Sequence, residues 1–341
     1  MNSIWSSFLQ KNNAIIENNH IIHYGNAAAE LKNTHSNTVI ADLSHYGLIH
    51  FSGEDALPFL QGQLSCDVRE IDHRTARYGC YCTPKGRMLT TFLIWKDSSG
   101  YLIQIPTSLL SSLENKLSKY ILRAKVQLNN SSNEYIRIGI AGDHASEIVK
   151  KIFGEIPNQS LSIINNTYKS SIFFTQNRFE IITTPDHAPK LWDQLKKDAI
   201  PVGKPCWDWL EIKAGIPIIL PSTQEQFIPQ MVNLEAIGGI SFNKGCYPGQ
   251  EIVSRTQYLG KIKRRMYLAK IKTEKPIIAG DDLYNDKEQP CGMVVNATLS
   301  PEGGYDLLAV IQIDSVKNKF IYWKDLKEAA LEIMPLPYIL K

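Results

Sequence analysis

Short apolar runs separated by turn residues open the ordered pattern of the chain: Val39-Ile-Ala-Asp-Leu43, then Gly47-Leu-Ile-His-Phe51. Runs of this kind predict adjacent strands. Ser52-Gly-Glu-Asp55 follows as a helix start, and Leu57, Leu60 and Leu64 keep helical spacing behind it. Residues 89–95 and 101–105 predict a hairpin turned at Asp97-Ser-Ser-Gly100. Residues 107–123 carry Leu109, Leu110, Leu113, Leu117, Tyr120 and Ile121 on one stripe, which predicts a helix. After the polar stretch Asn129-Asn-Ser-Ser-Asn133, strands are predicted at 135–141, 161–168, 172–175 and 179–183. Helices are predicted at 143–153 and 186–197. Strands and helices mixed without regular alternation predict an α+β fold rather than a doubly wound sheet.

The texture changes near residue 264. Short apolar runs at 266–271, 277–284, 291–299, 305–313 and 319–323 alternate with turns such as Gly280-Asp-Asp and Pro301-Glu-Gly-Gly304. Evenly spaced short strands predict a small β-barrel or sandwich. At the other end, residues 1–38 read as a peripheral lead-in, with Trp5, Phe8 and Leu9 on one face of a short helix.

Composition narrows the class. The chain has 341 residues, 43% of them apolar and 21% charged, as in ordinary globular proteins. Its length predicts two or three domains, at about 100–200 residues each. No apolar run reaches the roughly 18 residues of a transmembrane span, so no membrane association is expected. The N-terminal residues do not read as a secretory signal. The six cysteines are scattered, without a zinc spacing, so free thiols in the cytoplasm and no metal are expected. The net charge is only +3. No Gly-x-Gly-x-x-Gly, P-loop, His-Glu-x-x-His or Gly-x-Ser-x-Gly motif occurs, which argues against the enzyme classes they mark.

Candidate chemistry concentrates in Phe242-Asn-Lys-Gly-Cys-Tyr-Pro-Gly-Gln-Glu251. Gly245 and Gly249 permit unusual backbone angles. Pro248 suits the first turn of a helix running through Arg255. Cys246 would then sit before a helix N-terminus and beside Lys244, two features that favour thiolate. A reactive cysteine and a small buried hydrophobe in a tight turn are both open readings. Residues 244–272 hold eight basic residues and one acid, Glu251. Lys244, Arg255, Lys261, Lys263, Arg264 and Arg265 are among them, and they could face RNA phosphate, an anionic cofactor tail or only solvent. Trp207 and Trp209 are either core residues or platforms for a flat ring. Cys80 and Cys82 point the same way on a strand, but two ligands do not make a metal site.

The segment Lys244-Gly-Cys-Tyr-Pro-Gly-Gln-Glu251 resembles the signature of the YgfZ family of folate-binding proteins. These are relatives of glycine-cleavage T-protein, a tetrahydrofolate-dependent aminomethyltransferase. Ala214-Gly-Ile-Pro217, Phe227-Ile-Pro-Gln230, Asn233-Leu234 and Gly238-Gly-Ile-Ser-Phe242 fall in that family's order. So do Leu60-Gln-Gly-Gln-Leu64, Asp67-Val68, Pro84-Lys-Gly-Arg-Met88 and Pro335-Leu-Pro-Tyr338. The resemblance covers roughly residues 39–341.

It implies a T-protein-like multidomain fold, with two interlocked α+β domains and a C-terminal β-barrel. A discontinuous folate-binding domain would take in 39–130 and 200–262, the second α+β domain 131–199 and the barrel 263–341. It implies tetrahydrofolate or a one-carbon derivative as ligand. Tyr46 and Trp207 fall on the family's two aromatic folate positions, and Tyr247, Gln250 and Glu251 would lie near the ligand. Cys246 would be the essential thiol, with Lys244 beside it. Tyr46 departs from the Trp usual at its position. A second departure matters more: aligned on Gly86, Thr90 and Thr91 stand where T-protein places a catalytic aspartate. A hydroxyl cannot supply that carboxylate charge, so aminomethyl transfer is disfavoured. The resemblance implies instead a folate-binding accessory protein for iron–sulfur enzymes or their assembly proteins, and thereby for tRNA methylthiolation, with its effect on tRNA indirect. A folate-dependent one-carbon transferase, with Asp67 or Glu211 as its carboxylate, is the alternative. A scaffold with a vestigial pocket is the third.

Overall fold

A computed structural model describes residues 1–340 except 158, 176, 318, 319 and 325–329. The chain forms two compact units, each assembled from non-consecutive segments. Unit 1 comprises Met1–Ala56, Glu70–Arg77 and Leu93–Trp207. Unit 2 comprises Leu57–Arg69, Tyr78–Phe92 and Asp208–Lys341.

Unit 1 is built on a six-stranded sheet. Its strands lie in the order Ile163–Asn166, Lys169–Phe173, Arg178–Thr183, Ile136–Ala141, Val39–Asp42 and Ile200–Val202. Neighbours are antiparallel except the last two, which run parallel. Alternation within the strands decides what each face carries. Ile138, Ile140, Phe179 and Ile181 share one face, because Ile140 pairs with Phe179 and Ile138 with Ile181. Helices Ser3–Lys11, Ala145–Phe153 and Ala188–Leu195 supply Trp5, Leu9, Ile148, Leu191 and Trp192 to the same core cluster.

The N-terminal stretch, expected as a lead-in, therefore contributes core residues. Asn2 caps its first helix by accepting from the amides of Ile4 and Trp5. Trp5 packs edge-on to Trp192 and donates from Nε1 to Asp42 at 2.7 Å. A second sheet in unit 1 pairs Tyr46–Ser52 with Tyr101–Pro106 and Gln127–Asn130. Residues 93–96 pair with Tyr101–Pro106, so the expected hairpin is present.

Unit 2 ends in a six-stranded antiparallel sheet. Its order is Ile321–Trp323, Asp282–Asn285, Pro290–Leu299, Tyr305–Gln312, Arg264–Ile271 and Glu332–Met334. A register shift between Val294 and Asn296 marks a bulge, a device that bends a strand. Tyr322 bridges Ala330, and the Leu331 amide donates to the Ile321 carbonyl just before the last strand begins. The sheet thus curls into a half-barrel. Residues 318, 319, 325–329 and 341 of the expected barrel, the first residue of the predicted run 319–323 among them, lie outside the described residues. The sheet's inner residues Met266, Leu268, Val295, Leu308 and Val310 share a core cluster with Cys80, Cys82, Met88, Phe227 and Val253.

Candidate functional site

The signature segment of unit 2 is an irregular loop that ends in helix Gln250–Tyr258. Gly249 caps this helix at φ +84°, and a Cβ there would lie 2.5 Å from the Thr83 carbonyl oxygen and 2.6 Å from Gly86 Cα. Only glycine allows both that angle and that approach. Two motifs far apart in sequence, Pro84-Lys-Gly-Arg-Met88 and the cysteine signature, therefore meet backbone to backbone. Pro248 lies before the helix, with Gly249 as its cap, rather than in its first turn.

Inside the loop, Gln250 closes a ring of contacts. Its Oε1 accepts from the Tyr247 amide at 3.2 Å, and its Nε2 donates to the Lys244 carbonyl at 3.4 Å. Lys244 is turned inward. Its Nζ donates to the carbonyls of Leu64 at 2.5 Å and Cys66 at 2.8 Å. Burial pulls its pKa down to about 8. Its ammonium also lies 5.2 Å from the Tyr247 ring centre. Tyr247 is buried, and burial raises its phenol well above the ordinary range, with the thiols of Cys80, Cys82 and Cys66 adding to the effect. Cys80 and Cys82 bring their sulfurs within 3.5 Å of each other, and the contact with Cys80 pushes the Cys82 thiol up. Cys246 stands apart: five of the six cysteines are buried, and it alone is exposed. Glu251 is exposed in the first turn of the helix. Among the described residues, no group of three or more His, Cys, Asp or Glu could hold a metal ion.

The carboxylate candidates are differently placed. Thr91 Oγ1 donates to the Pro217 carbonyl at 2.9 Å and accepts from the Ile219 amide at 3.1 Å. Thr90 Oγ1 donates to the Thr91 carbonyl at 2.9 Å. Both hydroxyls are buried structural links. Asp67 forms a two-pronged ion pair with Arg69, its Oδ2 at 2.5 Å from Nη2. That contact holds its carboxyl down to about 2, far from the range of a general base at neutral pH. Glu211 is buried on helix Lys204–Lys213.

The basic run divides by environment. Arg255, Lys261, Lys263 and Arg264 are exposed. Arg265 is not: its guanidinium pairs with Glu235 and donates to the Gln230 carbonyl at 2.8 Å.

Unit 1 holds the two aromatic candidates and three charged residues that the sequence reading passed over. Residues paired across antiparallel strands share a face. Gly139 pairs with Glu180, and Ala141 with Arg178. Arg137, Gly139, Arg178 and Glu180 thus line the sheet face opposite the helices. Trp207 lies on Gly139, where a Cβ would come within 2.4 Å of the indole. The Arg178 guanidinium stands 5.6 Å from that indole and 5.0 Å from the Phe174 ring. Gln104 Nε2 donates to Glu180 at 3.0 Å. Arg137 Nη2 donates to the Tyr46 carbonyl at 2.6 Å, and the Tyr46 ring lies 4.3 Å from His45.

This face is buried. Arg137 and Arg178 are each 2% exposed, Glu180 and Trp207 each 1%. Burial lowers the Arg137 pKa. Arg137 Nε and Nη1 and Gln104 Oε1 have no hydrogen-bond partner among the described residues. The only signal in the sequence is one charge in strand Ile136–Ala141, Arg137 between two isoleucines, and two alternate charges in strand Arg178–Thr183, Arg178 and Glu180. That pattern ordinarily marks a solvated face.

The whole chain has the T-protein fold. The crystal structure of glycine cleavage system aminomethyltransferase T from Bartonella henselae matches it with a TM-score of 0.78, over 99% of this chain and 98% of that one, at 16% identity. Residues 19–241 match the family described as GCVT N-terminal domain, which defines the class. Three curated relatives are each called tRNA-modifying protein YgfZ. The protein from Sodalis glossinidius is 31% identical over 90% of this chain and 95% of its own length. That from Colwellia psychrerythraea is 32% identical over 82% and 91%. That from Yersinia enterocolitica is 29% identical over 88% and 92%. The chain belongs to the YgfZ family.

Proposed function

We propose that this protein is a cytoplasmic folate-binding accessory factor that supports iron–sulfur enzymes and, through them, tRNA modification. The observation that carries the reading is the exposed Cys246 in a loop built to present it. Lys244, Tyr247 and Gln250 are turned into contacts that hold the loop, which leaves the thiol of Cys246 facing outward. A thiol so placed can act as a nucleophile or a soft ligand toward a partner.

Tetrahydrofolate or a one-carbon derivative is the ligand we assign to the Tyr46, Trp207 and Arg137 face. A pterin is flat and carries several hydrogen-bonding edges. The orphaned Arg137 Nε and Nη1 and Gln104 Oε1 fit such edges, and Tyr46 and Trp207 supply aromatic walls. When bound, the folate would supply or accept a one-carbon unit. The structural bonds of Thr90 and Thr91 and the ion-paired Asp67 weigh against aminomethyl transfer.

Titration of tetrahydrofolate against the purified protein, read by Trp fluorescence, tests the ligand. Saturable quenching is expected, weaker in Trp207→Phe and Arg137→Met. No quenching would leave only a scaffold with a vestigial pocket. Complementation of a deletion strain tests the thiol: Cys246→Ser should fail, and wild-type rescue by it would remove the thiol role.

A further inference from the structure

We infer that the segment after the signature loop is a docking surface for a folded RNA, touched directly by Lys85, Arg255, Tyr258, Lys261, Lys263 and Arg264. The inference goes beyond the reading above, in which the effect on tRNA runs through iron–sulfur enzymes, and names a surface that would meet the RNA itself. Five of these side chains are cationic, and none forms an ion pair among the described residues. The acids along the segment are few. Glu251 lies one helix turn before Arg255, and Asp314, beyond the strand paired with Arg264, is taken by Lys317 at 3.4 Å.

The surface is pinned at both ends. Gly249 and Ile252 pack against Gly86, which places Lys85 beside the start of helix Gln250–Tyr258. At the far end Arg264 pairs with Gln312, and the Ile313 amide donates to the Lys263 carbonyl at 3.0 Å. Between them Tyr258 is 68% exposed and Leu259 85%. The Tyr258 ring meets Phe242 edge-on, at 6.0 Å and 71°. In a T-shaped contact Phe242 covers at most one face of the Tyr258 ring, and at 68% exposure the ring keeps a face for stacking. Phe242 also opens the segment that presents Cys246, so the basic surface runs into the signature loop.

Exposed cations with an exposed ring among them match phosphates and an unstacked base together. RNA loops offer that pair of groups, because their bases can be splayed out and stacked on aromatic side chains. An anionic bilayer offers phosphates without a base. Arg265 is excluded from the surface by its bond to Glu235.

The test uses the full-length protein with fluorescently labelled unfractionated tRNA, titrated by anisotropy at several salt concentrations. The wild type should bind, with log Kd rising linearly with log salt. Lys261→Gln/Lys263→Gln/Arg264→Gln should reduce that slope by about two to three, at roughly 0.7–0.9 per lost phosphate contact. Tyr258→Ala should weaken binding about tenfold and leave the slope unchanged. Both variants alter exposed side chains and should melt at the wild-type temperature, and both should bind tetrahydrofolate as the wild type does. Absence of tRNA binding by the wild type would overturn the inference, and so would equal affinity in all three proteins. Binding to phosphatidylglycerol vesicles without tRNA binding would also overturn it, and would assign the surface to a membrane. Loss of tetrahydrofolate binding by the wild type, with tRNA binding intact, would sink the folate reading and leave this one standing.

Discussion

Lys244 shows how one side chain can be misjudged from its neighbours in sequence. Beside Cys246 it reads as a charge that favours thiolate. In the fold its ammonium is buried and held by the carbonyls of Leu64 and Cys66, residues some 180 positions away along the chain. The pH dependence follows. Its folded pKa of about 8 lies below the ordinary lysine value, so between about pH 8 and 10.4 the unfolded chain holds more protons. Stability from this group therefore rises with pH across that window. Lys244→Met removes both the contacts and the titration. The stability gap between wild type and Lys244→Met, from urea unfolding, should widen as pH is raised from 8 to 10. A gap that is flat or narrows would contradict the assignment. Cys246→Ser should leave the urea midpoint unchanged, because the thiol is exposed.

At the scale of elements, what the sequence made legible were strands and helices with one apolar face. The stripe of Leu110, Leu113 and Leu117 forms helix Leu110–Ile121, and the runs after residue 264 form the curled sheet. What it hid was the charged face of the unit 1 sheet. Arg137, Arg178 and Glu180 alternate with isoleucine and phenylalanine as they would on a surface strand, and it is the second sheet with Gln104, together with Trp207, that makes the face an interior. Strand alternation carries no information on what covers the polar side. The Trp207 contact with Gly139 is a test at this scale. Gly139→Ala should cost about 1–3 kcal/mol by overpacking, because its Cβ would strike the indole edge. The cost should fall sharply in a Trp207→Phe background, where that edge is gone. Additive losses in urea denaturation would mean the two positions do not touch.

The Gly249 cap is an element-scale feature whose components the sequence did reveal. Glycine at a helix start was legible, but its partner in the 83–87 turn was not, since nothing in the spacing links positions 86 and 249. Gly249→Ala forces φ +84° on a residue with a Cβ and drives that atom against the Thr83 carbonyl. A loss of about 2 kcal/mol or more is expected. The same change should impair complementation, as Cys246→Ser is expected to, since it disturbs the loop that holds Cys246.

For the whole molecule, the question is what a T-protein fold does with Thr90 and Thr91 at the positions where the resemblance implies T-protein's aspartate. Restoring the charge is the direct trial. Thr91→Asp places a carboxyl where a hydroxyl now both donates to the Pro217 carbonyl and accepts from the Ile219 amide. An ionised carboxylate can accept from Ile219 but cannot donate to Pro217, and it would face that carbonyl oxygen in a buried setting. The expected result is a loss of about 2–4 kcal/mol in unfolding free energy, with no gain of folate-dependent aminomethyl transfer. Thr90→Asp should behave alike, because the Thr90 hydroxyl is bonded to the Thr91 carbonyl. Methylenetetrahydrofolate formation from an aminomethylated carrier protein is the readout, beside melting curves for each variant. Transfer activity in either would show that the surrounding structure remains that of an aminomethyltransferase, with one residue missing. Inactivity in both, with tetrahydrofolate binding retained, would mean that the hydroxyls have become part of the packing.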